Sequence, residues 1–232
     1  MVIGKFFIAT TCHLWHNSRM KFDDLLTSAY KQPVFETGLL LAGAVDTSDV
    51  RRQLSRWTRA GRVIQLRRGL YTLAAPYQQT APHPFLIANS LLPGSYISLQ
   101  SALAYYGLIP EYAAQTLSVT TQRPSRWRNP LGDFRFQHLA THLFYGYQQV
   151  NLSLGQDAFI ALPEKALLDL VHLTPDGDAP AYLIGLRLQN LERLDPQRLQ
   201  NLAGRTKKPK WLRAAAQILA LIEEDKSNYK TV

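Results

Sequence analysis

The stretch DVRRQLSRWTRAGRVIQLRRGLYTL, Asp49 to Leu73, constrains the fold more than any other part of the chain. Its first half carries apolar residues at helical spacing. Val50, Leu54 and Trp57 recur at i, i+4 and i+7 and share one face, while Arg51, Arg52, Ser55, Arg56 and Arg59 share the opposite one. Asp46, Thr47 and Ser48 suit the N-cap of that helix, and Gly61 suits its end. The period then drops from 3.6 to 2. RVIQL and LYTLA are two short β-runs joined by Arg67-Arg68-Gly69, and Gly69 supplies the positive φ of a tight hairpin. With Arg62 between helix and hairpin, the stretch holds seven arginines, and no acidic residue follows Asp49 until Glu111.

Upstream, Phe22, Leu25, Leu26 and Ala29 predict a helix from Phe22 to Tyr30, broken by Pro33; VFETGLLLAGAV predicts a second. Helix, helix, turn, helix, hairpin is the order of a winged helix-turn-helix, expected over residues 20–75. AAPYQQTAPHP has no charge and reads as a linker, residues 76–84. Residues 85–203 alternate helical runs (HPFLIANSLL, QSALAYYGL, PEKALLDLVHL, then near 178–190 and 195–203) with β-rich runs (YISL, TLSVTT, DFRFQHL, HLFYGYQQVNL, DAFIAL). The expected fold class is therefore α+β: the winged helix, then a mixed α/β domain with a mainly antiparallel sheet flanked by helices. Residues 204–232 add a basic break, GRTKKPK, and a final helix. Residues 1–19 read as an extension, disordered or upstream of a true start at Met20. Cys12, His13 and His16 within it have metal-like spacing but supply three ligands at most, so no metal site is read there.

The chain carries Lys+Arg 26 against Asp+Glu 17, a formal net charge of +9. That excess favours an anionic partner. One cysteine excludes an internal disulfide and points to a cytoplasmic protein. No apolar run approaches the roughly 20 residues that span a bilayer, so no membrane partner is expected. Surface helices usually mix signs, because i,i+4 ion pairs stabilise them; the arginine face does not. DNA accounts for it, since phosphates repeat along a duplex and arginines neutralise them with release of counterions. Arg51 and Arg52 lie in the first turns, where a recognition helix reaches base edges, and an arginine fork suits O6 and N7 of guanine. Ser55 can bond bases or phosphate. Arg56 and Arg59 suit the backbone, and Arg62 belongs to the same DNA-facing set. Arg67 and Arg68, at the hairpin tip, suit a minor groove or its phosphates. Two further basic groups sit beside tryptophans: Arg123, Arg126 and Arg128 around Trp127, and Lys207, Lys208 and Lys210 before Trp211. Cations interleaved with aromatics also mark nucleic-acid surfaces, so these form a possible second surface for nucleic acid or a partner.

LSRWTRAGRVIQLRRGLYTL resembles the winged-helix segment of AbiEi-type antitoxins, the regulatory partners in type IV abortive-infection toxin–antitoxin systems. The resemblance continues through YISLQSALAYYGLIPE, LSVTT, FRFQHL and PEKALLDL, in order, and covers about Phe22 to Leu173. It implies a bacterial repressor of its own operon, with operator DNA carrying inverted repeats as partner. It also implies an antitoxin role toward a cognate nucleotidyltransferase-like toxin, without requiring a stable complex. The helix and wing arginines Arg51, Arg52, Arg56, Arg59, Arg67 and Arg68, with Ser55, fall on the matching segment. Nothing after Leu191 matches.

The competing class is an enzyme. PEKALLDL places Glu164, Lys165 and Asp169 together, with Asp157 before them, and carboxylates beside a lysine can serve metal-dependent nuclease chemistry. An i,i+4 ion pair explains Lys165 and Asp169 equally well. PGSYISL has a Gly-Ser pair but no Asp-x-Asp after it, there is no phosphate loop, and His138 and His142 straddle a turn. No catalytic residue and no cofactor are therefore assigned; RNA binding or metal-dependent nucleic-acid processing by the second domain is the alternative reading.

Overall fold

The computed structural model describes residues 20–29, 31–41, 46–110 and 114–230, with side chains described as far as 227. The extension expected at 1–19, with Cys12, His13 and His16, lies outside the described residues. The chain begins with α1 (Phe22–Ala29), which buries Leu25 and Ala29. Where one helix was expected from Val34 onward, a short strand, β1 (Phe35–Glu36), precedes a single turn, α2 (Thr37–Leu40). The reason is a tertiary pairing. Phe35 and Glu36 pair antiparallel with Tyr71 and Leu70, and the Thr37 amide donates to the Gly69 carbonyl at 2.9 Å. Ladder bonds from a distant hairpin outweigh a weak local helix preference that Thr37 and Gly38 already lower.

The third helix, α3 (Thr47–Arg59), starts where the capping residues predict: Asp46 accepts from the Ser48 amide at 3.0 Å. It buries Val50, Gln53, Leu54 and Trp57. Gly61, at φ 68, turns the chain out of the helix, and the Arg62 amide bonds the Trp57 carbonyl at 2.9 Å. The hairpin β2 (Val63–Arg67) and β3 (Leu70–Leu73) follows, bulged between Gln65 and Arg67 and closed at Gly69, φ 83. With β1 these strands form an antiparallel sheet of order β1-β3-β2.

The segment read as a linker ends at α4 (Pro84–Leu91) and is held in place. Gln156 accepts from the His83 amide at 2.7 Å and donates to the Ala81 carbonyl at 3.0 Å. Then come β4 (Ser95–Ile97), α5 (Leu99–Tyr105), β5 (Thr116–Thr120), β6 (Ser125–Asn129), β7 (Gly132–His138), β8 (Tyr147–Asn151), β9 (Asp157–Ala161), α6 (Pro163–Leu173), α7 (Pro180–Gly185), α8 (Pro196–Gly204) and α9 (Pro209–Lys230). The six strands β4 to β9 form one sheet of order β6-β7-β5-β4-β9-β8. It is mixed: β4–β9 and β5–β7 run parallel, the other neighbours antiparallel. This modifies the expected mainly antiparallel sheet. SRWRN, to which the sequence assigned no element, is strand β6; it doubles the chain back so that β7 returns parallel to β5.

Two hydrophobic clusters form. The smaller gathers Leu25, Phe35, Val50, Leu54, Trp57, Val63 and Leu73. The larger covers both faces of the six-stranded sheet, with Tyr96 on the face that meets α6, Phe134 and Phe136 on the opposite face, and Leu167 and Trp211 among its helix members. Leu66 and Leu70 of the hairpin belong to the larger cluster, and Ile64 packs on it. The hairpin thus serves both cores. Asn129 at the end of β6 donates to the Leu66 carbonyl at 3.5 Å, so edge strand β6 meets edge strand β2. Among the described residues no helix is long and apolar enough to cross a membrane.

Candidate nucleic-acid interface

Helix α3 is sorted by face as its spacing requires. Arg51, Arg52, Ser55, Arg56 and Arg59 are all exposed, while Val50 and Leu54 have no exposed surface. Among the described residues no carboxylate pairs with Arg51, Arg56, Arg59 or Arg68. Arg52 is the exception on the helix. It reaches Asp49 at 3.5 Å while its own side chain stays 63% exposed, and Asp49 also accepts from the Met20 amide at 3.2 Å. The cap is electrostatically set: the hydroxyl and amide of Ser48 hold the Asp46 carboxyl below its ordinary range, which keeps a negative charge at the helix N-terminus.

The hairpin corrects one expectation. Arg68 is exposed at the tip, but Arg67 turns back into the molecule. Its guanidinium donates to the Arg68 carbonyl at 3.2 Å and the Ser90 carbonyl at 3.4 Å, and approaches Glu36 at 3.5 Å. A bulge lies between Gln65 and Arg67, beside the tip, and bulges re-aim the side chains next to them. Arg67 ties the hairpin to α4 rather than reaching outward. Arg62 lies over the Phe22 ring at 5.1 Å from its centroid, a cation–π contact that leaves the residue exposed.

In the second basic group, Arg126 and Arg128 share one carboxylate. Asp133 accepts from Arg126 Nε at 2.9 Å, from Arg126 Nη2, and from Arg128 Nη2 at 3.2 Å. These arginines hold the Asp133 carboxyl down at about 2. Trp127 packs partly buried against the larger core, with its indole N–H unpartnered. In the third group, Lys207 is exposed, Lys208 is half-buried, and Lys210 donates to the Thr174 carbonyl at 2.5 Å. Trp211 has no exposed surface. Trp211 therefore offers no face on which a base could stack, and part of Trp127 is taken up by packing on the core. Arg123 is exposed. Sequence reasoning overlooked Arg135, whose Cα partner across β6–β7 is Arg126. The alternation in DFRFQHL held the signal, for Phe134 and Phe136 point inward and send Arg135 out.

Glu164, Lys165 and Asp169 have no exposed surface. The Lys165 ammonium bonds Asp169 Oδ1 and donates to the Tyr96 hydroxyl at 2.9 Å. Asp169 Oδ2 accepts from Tyr96 at 3.0 Å and Ser98 at 2.9 Å. The rings of Tyr96, Tyr145 and Trp211 stand 5.3–5.5 Å from the ammonium. Burial pushes Lys165 below and Asp169 above its ordinary value, and their mutual attraction opposes both shifts. Glu164 accepts from the Asp195 amide at 2.7 Å and so fastens the start of α8 to α6. Asp157 is bonded by Gln149 and Asn151, each at 3.0 Å. The three groups of PEKALLDL thus hold the fold together. Among the described residues no three His, Cys, Asp or Glu side chains gather as a metal site.

No family model matches the chain, and no curated protein matches it. Among solved structures it is similar to the RV2827C protein from Mycobacterium tuberculosis, at 18% identity and a TM-score of 0.49, over 86% of this chain and 79% of that one. A likeness at that level carries no argument about function.

Proposed function

We propose that this protein is a DNA-binding transcriptional repressor of its own operon and an antitoxin that counteracts a nucleotidyltransferase-like toxin. In this reading residues 20–75 work as a winged helix-turn-helix, with α3 as recognition helix and β2–β3 as wing. The observation that carries the DNA-binding part is the arginine face of α3: Arg51, Arg56 and Arg59 exposed on a helix whose other face is buried, with no carboxylate pairing them among the described residues. Five like-charged or hydrogen-bonding side chains on one face gain nothing from one another, and a duplex supplies the missing anions. Arg68 at the hairpin tip extends the surface; Arg67 steadies it. The antitoxin part rests on the ordered resemblance from Phe22 to Leu173. The alternative, nucleic-acid processing by the larger part, has less support, since Trp211, Glu164, Lys165 and Asp169 are buried and Trp127 partly so.

The test is a repressor assay with a rescue assay beside it. Arg51→Ala/Arg52→Ala should cost roughly 1–3 kcal/mol of sequence discrimination for each bidentate arginine–base pair that it abolishes. It should derepress a reporter on the operon's own promoter and leave folding unchanged by circular dichroism. The same variant should still rescue growth under toxin expression when both proteins come from unrelated promoters. Repression that survives the double change would remove α3 from the operator.

A further inference from the structure

A cleft of about 370 Å³ opens on the face of β5 and β7 that meets α6, between α5 and the end of α6. Its apolar lining includes Leu117, Leu170 and Leu173, and its polar lining Gln100, Gln115, Gln137 and Arg135. The three glutamines are half-buried, and among the described residues none of the four polar side chains has a hydrogen-bond or ion-pair partner. Apolar surface with a few convergent polar groups is the usual make-up of a small-molecule site, and the volume falls in the usual range of about 300–1,000 Å³.

The electrostatics narrow the ligand. Among the described residues no carboxylate lines the cleft. Arg135 stands directly across from Arg126, a like charge, and Asp133 is already bonded by Arg126 and Arg128. Like charges in a directly opposed cross-strand pair destabilise a sheet, and an anion at Arg135 would relieve them. Lys210, bonded to the carbonyl of the lining residue Thr174, brings a second cation to that edge. Each glutamine amide both donates and accepts, so the three together suit a planar group that presents both functions at its edge. The leucines suit its faces, and an arginine fork suits a phosphate.

We propose that this cleft binds a nucleoside phosphate: the base against Leu117, Leu170 and Leu173, its edge on the glutamines, and the phosphate on Arg135. The site is separate from the arginine face of α3 and does not depend on the reading of that face. The ligand is either a free nucleotide or the phosphorylated end of a strand.

The test is calorimetric titration of the full chain with each of the four ribonucleoside 5′-monophosphates. The matching nucleosides and inorganic phosphate serve as controls. At least one monophosphate should saturate, at least about tenfold tighter than either its nucleoside or phosphate alone. Arg135→Ala should weaken it by about tenfold or more, the loss expected for a charged hydrogen bond. Gln137→Leu should change the ranking of the four bases. Arg51→Ala/Arg52→Ala should leave binding intact. Competition by a 5′-phosphorylated oligonucleotide, abolished by Arg135→Ala, assigns the strand end; failure to compete assigns the free nucleotide. Three results would overturn the proposal: no monophosphate saturates, phosphate alone binds as tightly, or binding survives Arg135→Ala and falls with the α3 variant.

Discussion

Arg51, Arg56 and Arg59 on α3 stand in solvent with no carboxylate to meet them among the described residues, whereas Lys165 on α6 has no surface in solvent and bonds both Asp169 and Tyr96. Both sets are cations on amphipathic helices, yet they serve opposite ends. A buried charge must be matched within the fold, because desolvation otherwise exceeds anything it gains. An exposed charge carries no such demand, so a run of them without partners reports on something outside the chain. Arg67 lies between the two cases: it sits in the arginine-rich stretch but is engaged by the Ser90 carbonyl and Glu36.

The sharpest way to break this comparison is to remove one member of each set. Lys165→Met leaves the Asp169 carboxylate buried without its cation and should cost about 3–5 kcal/mol, read from urea unfolding with an unchanged slope. Adding Asp169→Leu should recover much of that, since removing both charges of a buried pair is often close to neutral. Arg56→Ala should change stability by no more than about 0.5 kcal/mol. Equal costs for Lys165→Met and Arg56→Ala would erase the distinction.

A second experiment asks how firmly the two regions are joined. Leu66 sits in the larger core although its strand belongs to the arginine hairpin. Leu66→Ala should therefore destabilise the full chain by about 2–5 kcal/mol. In a fragment ending at Tyr77 the larger core is gone and Leu66 loses that burial, so the same substitution should cost far less. A cost that is the same in both backgrounds would mean that the small core alone holds the hairpin.

Much of this was legible in the sequence for one reason: the period of the apolar residues in Asp49 to Leu73 sets faces directly. The helix limits, the Asp46 cap, the Gly61 and Gly69 turns and the exposure of Arg51, Arg52, Ser55, Arg56 and Arg59 all follow from local chemistry. What stayed hidden depends on partners far along the chain. Strand β1 forms because β3 offers it an edge, and β6 because β7 does. Arg67 turns inward beside a bulge and toward a carbonyl on α4, and Arg126 and Arg128 share an aspartate on the next strand. Lys165 and Asp169 were readable as an i,i+4 pair, but their full burial under Tyr96, Tyr145 and Trp211 was not.

The neighbouring arginines of the hairpin sharpen the comparison on a smaller scale. Arg68→Ala should leave stability within about 0.5 kcal/mol and reduce the slope of log affinity against log salt by about one. Arg67→Ala should do the reverse: a loss of about 1 kcal/mol for hydrogen bonds to carbonyl oxygens, and a salt slope that does not change. Filter binding at several salt concentrations and thermal unfolding separate the two outcomes.

The smallest effect concerns the arginines of β6. Arg126 and Arg128 hold Asp133 at about 2, below the ordinary value of 3.8. A folded-state value that is depressed adds stability at pH above the ordinary carboxylate value, and that stability disappears as the pH falls toward the folded value. Asp133→Asn removes the titrating group. The unfolding midpoints of the native protein and of Asp133→Asn should thus differ most at neutral pH, and the difference should close as the pH falls from about 5 to about 2. The ion pairs lie at the surface, so solvent and salt screen them and the gap should shrink at high ionic strength. The same variant releases two exposed arginines. If duplex DNA then binds with a steeper salt dependence than it does to the native protein, Asp133 has been keeping the β6 face off the nucleic acid. An unchanged slope would leave α3 and the hairpin tip as the whole of the contact.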